Sequence, residues 1–370
     1  MTNPVPTSKP IPDAPPRIAR RGHGRVTLQD VAAAAGVTSI TVSRFLREPA
    51  VVAPATAERI RGALAQTGYV PNKQAGLLAS GVSNIVAALL PNLANSIFAE
   101  TAQGLSDGLQ AAGVELLIAS TGYSLDREEQ QLRALLGWHP AAVVVTGRRH
   151  AAGALQLLAQ AKAAGTPVIE IWDHHPPEPG ARRTTFTQIG FNHDQVGRAM
   201  AEHLLAAGHR KLAYVDSGVA EDYRAHERGL AFATAAREAG ARVTVCVAPA
   251  GEAFDAGRHV LDELLRPGAA AVTAAAFAND HLASGALLEA ARRKVAVPGR
   301  LALLGFGDFA IARQLSPALS SVQLPRQAIG IETARSLLDA LKHGKPAQSA
   351  SLPWALVARG SSSRPPSRAG

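Results

Sequence analysis

The sequence predicts a mixed α/β protein in which a small all-α, helix-turn-helix module precedes a doubly wound α/β body in two lobes. Three observations carry this. Residues 27–47, TLQDVAAAAGVTSITVSRFLR, read as two short helices about a glycine turn. From Ile85 onward, short apolar runs alternate with helix-like stretches, which implies parallel sheets covered on both faces. The alternation runs for roughly 260 residues, more than one such sheet usually holds, so two lobes with a cleft between them are expected.

Each element has a local cause. Thr27 is placed to cap a first helix, with Asp30 at the third helical position returning a bond to the backbone. Leu28, Val31, Ala32 and Ala35 share one face, and Gly36 follows where the chain needs a left-handed residue. Thr38 caps a second helix from Ser39 to about Arg47, whose side chains are mostly small or hydroxylated with an arginine, as a DNA major groove requires. Pro54 opens a third helix with Ala57, Ile60 and Leu64 inward, ending near Gly68. Residues 1–25, with prolines at 4, 6, 10, 12, 15 and 16, read as a disordered arm, and residues 71–84 as an interdomain hinge. Buried strands are expected at 85–90, 114–120, 142–147, 167–171, 211–216, 242–248, 270–277 and 301–306. Helices are expected at 96–111, 126–137, 151–164, 194–207, 254–266 and 279–293. The resulting division is arm 1–25, helical module 26–72, hinge 73–83, two-lobed body 84–361 and tail 362–370. In such sheets ligands sit at the carboxyl ends of the strands.

Charge is unevenly placed. The chain carries a formal +9, and residues 1–82 hold ten Lys/Arg against four acids, a net +6. A basic N-terminal module suits a polyanion, because neutralising phosphates releases counterions. No run of 18 apolar residues occurs and the N-terminus is polar, so a cytoplasmic protein without membrane attachment is expected. The one cysteine, Cys246, lies in an expected strand and reads as a small core residue in a reducing compartment.

The rival class, an α/β enzyme with a basic tail, finds little support. No Gly-x-Ser-x-Gly elbow, Gly-x-x-x-x-Gly-Lys-Ser/Thr loop or His-Glu-x-x-His helix is present, and GFGDF at 305–309 lacks the third glycine of a dinucleotide loop. Asp173-His174-His175 precedes two prolines and reads as a solvated loop. His203 and His209 read as a helix end favoured by the dipole. No catalytic residue, metal or cofactor is therefore expected.

The chain from Thr27 to about Ser361 resembles the lactose/galactose repressor family of bacterial transcription regulators. The pieces that carry the resemblance are TLQDVAAAAGV, TVSRFL, GYVPN at 68–72, the segment Ala75 to Ala79, AND at 278–280 and SVQLPRQAIG at 321–330. Within the family, GVTSITVSRFLREP, LLPNLANSIFAE and the spaced STGY, EEQQL and LLGWHP are most similar to gluconate-utilisation repressors. The resemblance implies that the second helix lies in the major groove of a near-palindromic operator, with Ser39 and Ile40 facing bases and Thr38, Thr41, Ser43 and Arg44 bonding phosphates or bases. It further implies a backbone contact for Asn72 and a minor-groove wedge at Leu78 with Ala75 alongside.

The two lobes resemble periplasmic sugar-binding proteins that close on a small ligand. The resemblance places effector positions at Asn92, Phe98, Tyr123, Arg148, Glu170 and Trp172 in the first lobe and Arg228, Asn279 and Asp308 in the second. Three departures stand out. Ala53 occupies the place of a capping Ser or Thr. Arg-x-x-Gly-Phe is here Arg228-Gly-Leu-Ala231-Phe232. Gly-Tyr-Asp-Asp is here Gly305-Phe306-Gly307-Asp308, without the acid that takes sugar hydroxyls. An arginine pair, Arg148 and Arg228, with fewer opposing carboxylates suits a sugar acid such as gluconate; a neutral sugar or other metabolite is the alternative. The resemblance also implies a homodimer, with a tetramer left open although SSRPPSRAG at 362–370 lacks heptads.

Overall fold

The computed structural model describes residues 26–71, 83–93, 96–175, 186–267 and 271–363. The chain divides into two compact units, Met1–Val82 and Ser83–Gly370.

In the first unit, α1 (Leu28–Ala35), α2 (Ser39–Arg47) and α3 (Pro54–Thr67) enclose a core of Val31, Val42, Phe45, Ala57 and Ile60. The capping box at α1 is complete: the Asp30 amide donates to Thr27 Oγ1 at 3.4 Å, and the Thr27 amide donates to Asp30 Oδ2 at 2.7 Å. These bonds to Thr27 hold the Asp30 carboxyl below its ordinary range. Gly36 closes α1 at φ 61°, and its amide reaches the Ala32 and Ala33 carbonyls. A residue with a Cβ would be strained there. Thr38 caps α2 by accepting from the Thr41 amide at 3.3 Å. Ala53 makes no side-chain cap, and Pro54 begins α3 with its fixed φ.

The second unit holds two six-stranded sheets. The first has the order β11-β5-β4-β3-β1-β2, built from β1 (Ile85–Leu90), β2 (Glu115–Ser120), β3 (Ala142–Thr146), β4 (Val168–Ile171), β5 (Thr187–Gly190) and β11 (Ala350–Ser351). The second has the order β12-β10-β9-β8-β6-β7, from β6 (Lys211–Asp216), β7 (Arg242–Val247), β8 (Ala274–Phe277), β9 (Ala302–Gly307), β10 (Ser320–Gln323) and β12 (Ala355–Val357). All neighbours run parallel except β12 against β10. Strand β1 is buried almost throughout, as a sheet covered on both faces requires.

The helices are α4 (Ser96–Gln110), α5 (Leu125–Leu136), α6 (Ala152–Ala163), α7 (His193–Ala206), α8 (Tyr223–Glu238), α9 (Ala253–Leu264), α10 (Asp280–Arg292), α11 (Ala310–Gln314) and α12 (Arg326–His343). The chain passes between sheets through α7, through α12, and again between β11 and β12. These three crossings make two lobes that share one connected core, including an edge-to-face chain from Phe98 through Trp172 to Phe191.

The sequence reading places eight strands and six helices of this unit at their observed positions to within a few residues, but misses β5, β10, β11, β12, α8, α11 and α12. The short strands TQIG and SSVQ carry polar residues, and α8 buries Arg224 and Arg228, so neither shows the apolar period that marks an element. Cys246 is 2% exposed in β7, and burial pushes its thiol up to about 12. Among the described residues no helix is long and apolar enough to cross a membrane, and no group of three His, Cys, Asp or Glu residues could hold a metal.

Candidate DNA-reading face and ligand cleft

In the first unit, burial of Val42 and Phe45 fixes which face of α2 meets solvent. Ile40, Arg44 and Arg47 are exposed at helical spacing, and Ile40 is 72% exposed, an uncommon place for a large apolar side chain. Thr38 is also exposed, while Ser39, Thr41 and Ser43 are half-buried. The Thr38 and Thr41 hydroxyls lie 2.9 Å apart, so the cap ties one hydroxyl to another. Asn72, Ala75 and Leu78 lie outside the described residues.

In the second unit, two adjoining chambers open between the lobes at the carboxyl ends of the strands. The inner one, about 50 Å³, is walled by Phe98, Tyr123 and Trp172 of the first lobe, by His193, and by Arg224, Arg228 and Asn279 of the second. The outer one, about 260 Å³, shares Tyr123 and Arg224 with it. Both partition residues have structural causes. Tyr123 sits at φ 65°, and the Arg224 guanidinium engages its hydroxyl. Arg224 also passes so close to Gly147, at φ 88°, that a Cβ there would meet Arg224 Nη1 at 2.5 Å. Burial works against the Arg224 charge, and Tyr223, Asp173 and Asp222 more than offset it.

Arg228 is held rigidly. Its guanidinium lies 3.7 Å from the Phe306 ring centroid, Nη2 donates to the Ala278 carbonyl at 3.0 Å, and Nη1 donates to His193 Nδ1 at 3.0 Å. His193 is kept neutral because burial, then Arg228 and Arg224, drive its pKa well below 6.5. Its Nε2–H therefore donates to the Trp172 carbonyl at 2.9 Å, linking the second-lobe arginine to the first-lobe wall. Trp172 Nε1 and Arg228 Nε are buried and meet no acceptor with hydrogen-bond geometry among the described residues.

The lobes are clasped outside this wall. The Tyr223 hydroxyl donates to Asp173 Oδ2 and accepts from the Arg148 amide at 2.7 Å. Arg148 and Arg149 both pair with Glu227, at 2.7 and 2.6 Å, and Arg326 pairs with Glu100 at 2.9 Å.

Of the expected effector positions, Phe98, Tyr123, Trp172, Arg228 and Asn279 come together around the inner chamber. Asn279 spends its oxygen capping α10, accepting from the Leu282 amide at 3.0 Å, which leaves its NH₂ for a ligand. Asn92, Arg148, Glu170 and Asp308 line neither chamber. Arg224 lines both chambers, while Arg148 bonds His175 and Glu227 in the clasp. Asp308 pairs with Arg359 at 2.7 Å. Glu170 accepts from Gln188 at 2.8 Å and approaches His150 Nε2 at 3.3 Å. Arg224 escaped the sequence reading because α8 was missed, and His193 because it lies one residue before the expected start of α7, after the missed strand β5. Arg224 lies one helical turn before Arg228, the spacing that puts two side chains on one face once α8 is known.

His150 is enclosed beside Glu170, with Nδ1 2.6 Å from Glu128 Oε1. Burial opposes its charge, but Glu128 and Glu170 outweigh burial and raise the pKa from 6.5 to about 9. A folded-state value above the unfolded one stabilises below the unfolded pKa and is lost as pH climbs through the folded value. The thermal midpoint of the second unit is therefore expected to fall between about pH 6.5 and about 9, and His150→Gln to flatten that decline. An identical pH profile in the variant would remove the assignment.

Comparison with known proteins agrees with this architecture. Residues 27–72 match the family of bacterial regulatory proteins, lacI family, and residues 201–362 match the periplasmic binding protein-like domain. The chain is 38% identical over 347 residues to the HTH-type transcriptional regulator GntR of Pseudomonas aeruginosa, covering 90% of this chain and 94% of the relative. It is 31% identical over 314 residues to the regulator GntR of Escherichia coli, covering 85% and 91%. The crystal structure of a LacI family transcriptional regulator from Silicibacter pomeroyi superposes with a TM-score of 0.82 at 29% identity, covering 92% of this chain and all of that one. The helix-turn-helix unit, the paired sheets and these relatives together place the chain in the lacI family of bacterial regulatory proteins, DNA-binding transcription regulators rather than enzymes.

Proposed function

We propose that this regulator senses a sugar acid, gluconate or a related aldonate, in the cleft of its second unit and changes its affinity for a near-palindromic operator in response, acting as a homodimer. The observation that carries the ligand class is the arginine pair of the inner wall: Arg224 and Arg228 line one small chamber beside Asn279, with one carboxylate, Asp222. A carboxylate accepts from such groups in short, charge-assisted bonds, and the added hydroxyls of an aldonate suit Asn279. The resemblance to gluconate-utilisation repressors points the same way. Calorimetric titration of the full chain with gluconate and with glucose tests this. Binding of gluconate with release or tightening on operator DNA is expected; binding of glucose without gluconate would overturn it.

On the DNA side, Ile40 packs on a thymine methyl and Arg44 spans a guanine edge in this reading, with Thr38, Ser39, Thr41 and Ser43 bonding nearby bases or phosphates. The wedge at Leu78, with Ala75 and Asn72, completes it. Arg44→Ala is expected to weaken operator binding about tenfold and relax preference at one base pair, at a cost of roughly 1–3 kcal/mol. Equal weakening on all sequences, measured by fluorescence anisotropy, would make Arg44 a phosphate contact instead.

A further inference from the structure

The inner chamber is too small for the ligand it selects. At about 50 Å³ it is well short of the cavity of about 150 Å³ that holds a benzene ring, so a six-carbon polyol does not fit. The outer chamber, about 260 Å³, shares the walls of Tyr123 and Arg224 with it, and its chemistry differs. The inner wall carries Arg224, Arg228, Asn279 and one carboxylate, Asp222, whereas the outer wall carries the hydroxyls of Thr121, Ser124 and Thr146, the carboxylates of Glu128 and Glu221, and Arg149. Glu128 is fixed in place, accepting from the Ala151 amide at 2.8 Å and bonded to His150. A carboxylate accepts up to about four hydrogen bonds, so Glu128 retains acceptor capacity toward the cavity.

We infer that the two chambers form one bipartite site that measures chain length: the ligand's carboxylate enters the inner chamber at Arg228 and Trp172, and its hydroxylated tail lies in the outer chamber among Thr121, Thr146, Glu128 and Glu221. This rests on the sugar-acid reading above and extends it to an open-chain aldonate bound in one direction. The direction follows from charge. The outer wall sets Glu128 and Glu221 against Arg149 and Arg224, whereas the inner wall sets Asp222 alone against Arg224 and Arg228. The carboxylate is therefore drawn inward, and the hydroxyls donate to Glu128 and Glu221. Arg224 lines both chambers and contacts the ligand near its middle.

Ala220 lines the outer chamber from an exposed position, so a larger side chain fills that space without entering a core. The test is calorimetric titration of the full chain and of Ala220→Trp with glycerate, erythronate, ribonate and gluconate, and with D-glucose. For the unaltered protein, affinity rises with chain length, gluconate exceeding glycerate by about tenfold or more. In Ala220→Trp the series flattens to the level of its shortest member, because the short acid occupies only the inner chamber. Equal binding of short and long acids by the unaltered protein would overturn the bipartite site while leaving the sugar-acid reading intact. A parallel loss across the series in Ala220→Trp would overturn the direction of binding, again leaving that reading intact. Binding of D-glucose with no acid bound would remove the sugar-acid reading and this inference together. Operator binding without ligand serves as the folding control and is unchanged in Ala220→Trp.

Discussion

Arg228→Ala is expected to abolish the ligand response while leaving operator binding intact. The guanidinium is 3% exposed and fixed from three sides, by the Phe306 face, the Ala278 carbonyl and His193 Nδ1. It is thus preorganised to meet a carboxylate without losing side-chain freedom on binding. Truncation removes a charge-assisted contact in a water-poor cavity, and a loss of about 2.7 kcal/mol, or a hundredfold in affinity, is the expected scale. It also removes the donor that keeps His193 pointed at the Trp172 carbonyl, so the two lobes lose a shared contact. Because a ligand shifts an equilibrium only through its differential affinity for two states, a chain that cannot hold the ligand cannot be switched by it. Arg228→Lys separates charge from geometry: lysine keeps the point charge but cannot stack or fork, so it restores only part of the affinity. A normal dose response of Arg228→Ala, by operator anisotropy against gluconate, would show that the ligand is held elsewhere.

How much of this was legible depends on the range of the interactions. The capping box of Thr27 and Asp30, the turn at Gly36 and the uncapped Ala53 are local, and sequence spacing states them completely. Phe98, Tyr123, Trp172 and Asn279 come from the family resemblance, and the fold agrees with it, since segments that follow parallel strands gather at one cleft. The rule says where a residue lies, and long-range partners decide which way it turns. Glu170 follows its strand correctly yet is taken by His150 and Gln188, and Asp308 by Arg359 from near the end of the chain. Arg224 and His193 were invisible for the opposite reason. Arg224 lies on α8 and His193 follows β5, and both of these elements bury polar side chains, so the apolar pattern that reveals an element fails beside the cleft.

Phe45→Ala is expected to remove operator binding altogether while leaving gluconate titration of the same chain unchanged. Phe45 is 6% exposed in a core of few residues, packed with Val31, Val42 and Ile60 beneath the Arg61 guanidinium. A buried Phe→Ala change costs about 3–5 kcal/mol. At roughly 0.05–0.15 kcal/mol per residue, a three-helix module of this size has on the order of 2–7 kcal/mol in total. One substitution therefore spends most of the module's stability, and α2 loses the contacts that aim its outer face. Ile40→Ala supplies the contrast. Ile40 is 72% exposed, so its removal costs little folding energy, and any loss of operator affinity belongs to the DNA contact alone. Thermal melts followed by circular dichroism distinguish the two, since only Phe45→Ala should lose a low-temperature helical transition. The effector unit folds around its own sheets and core, and the chain parts into units at Val82 and Ser83. Loss of gluconate binding in Phe45→Ala would mean that the second unit needs the first to fold, and reading and sensing would then be one cooperative structure.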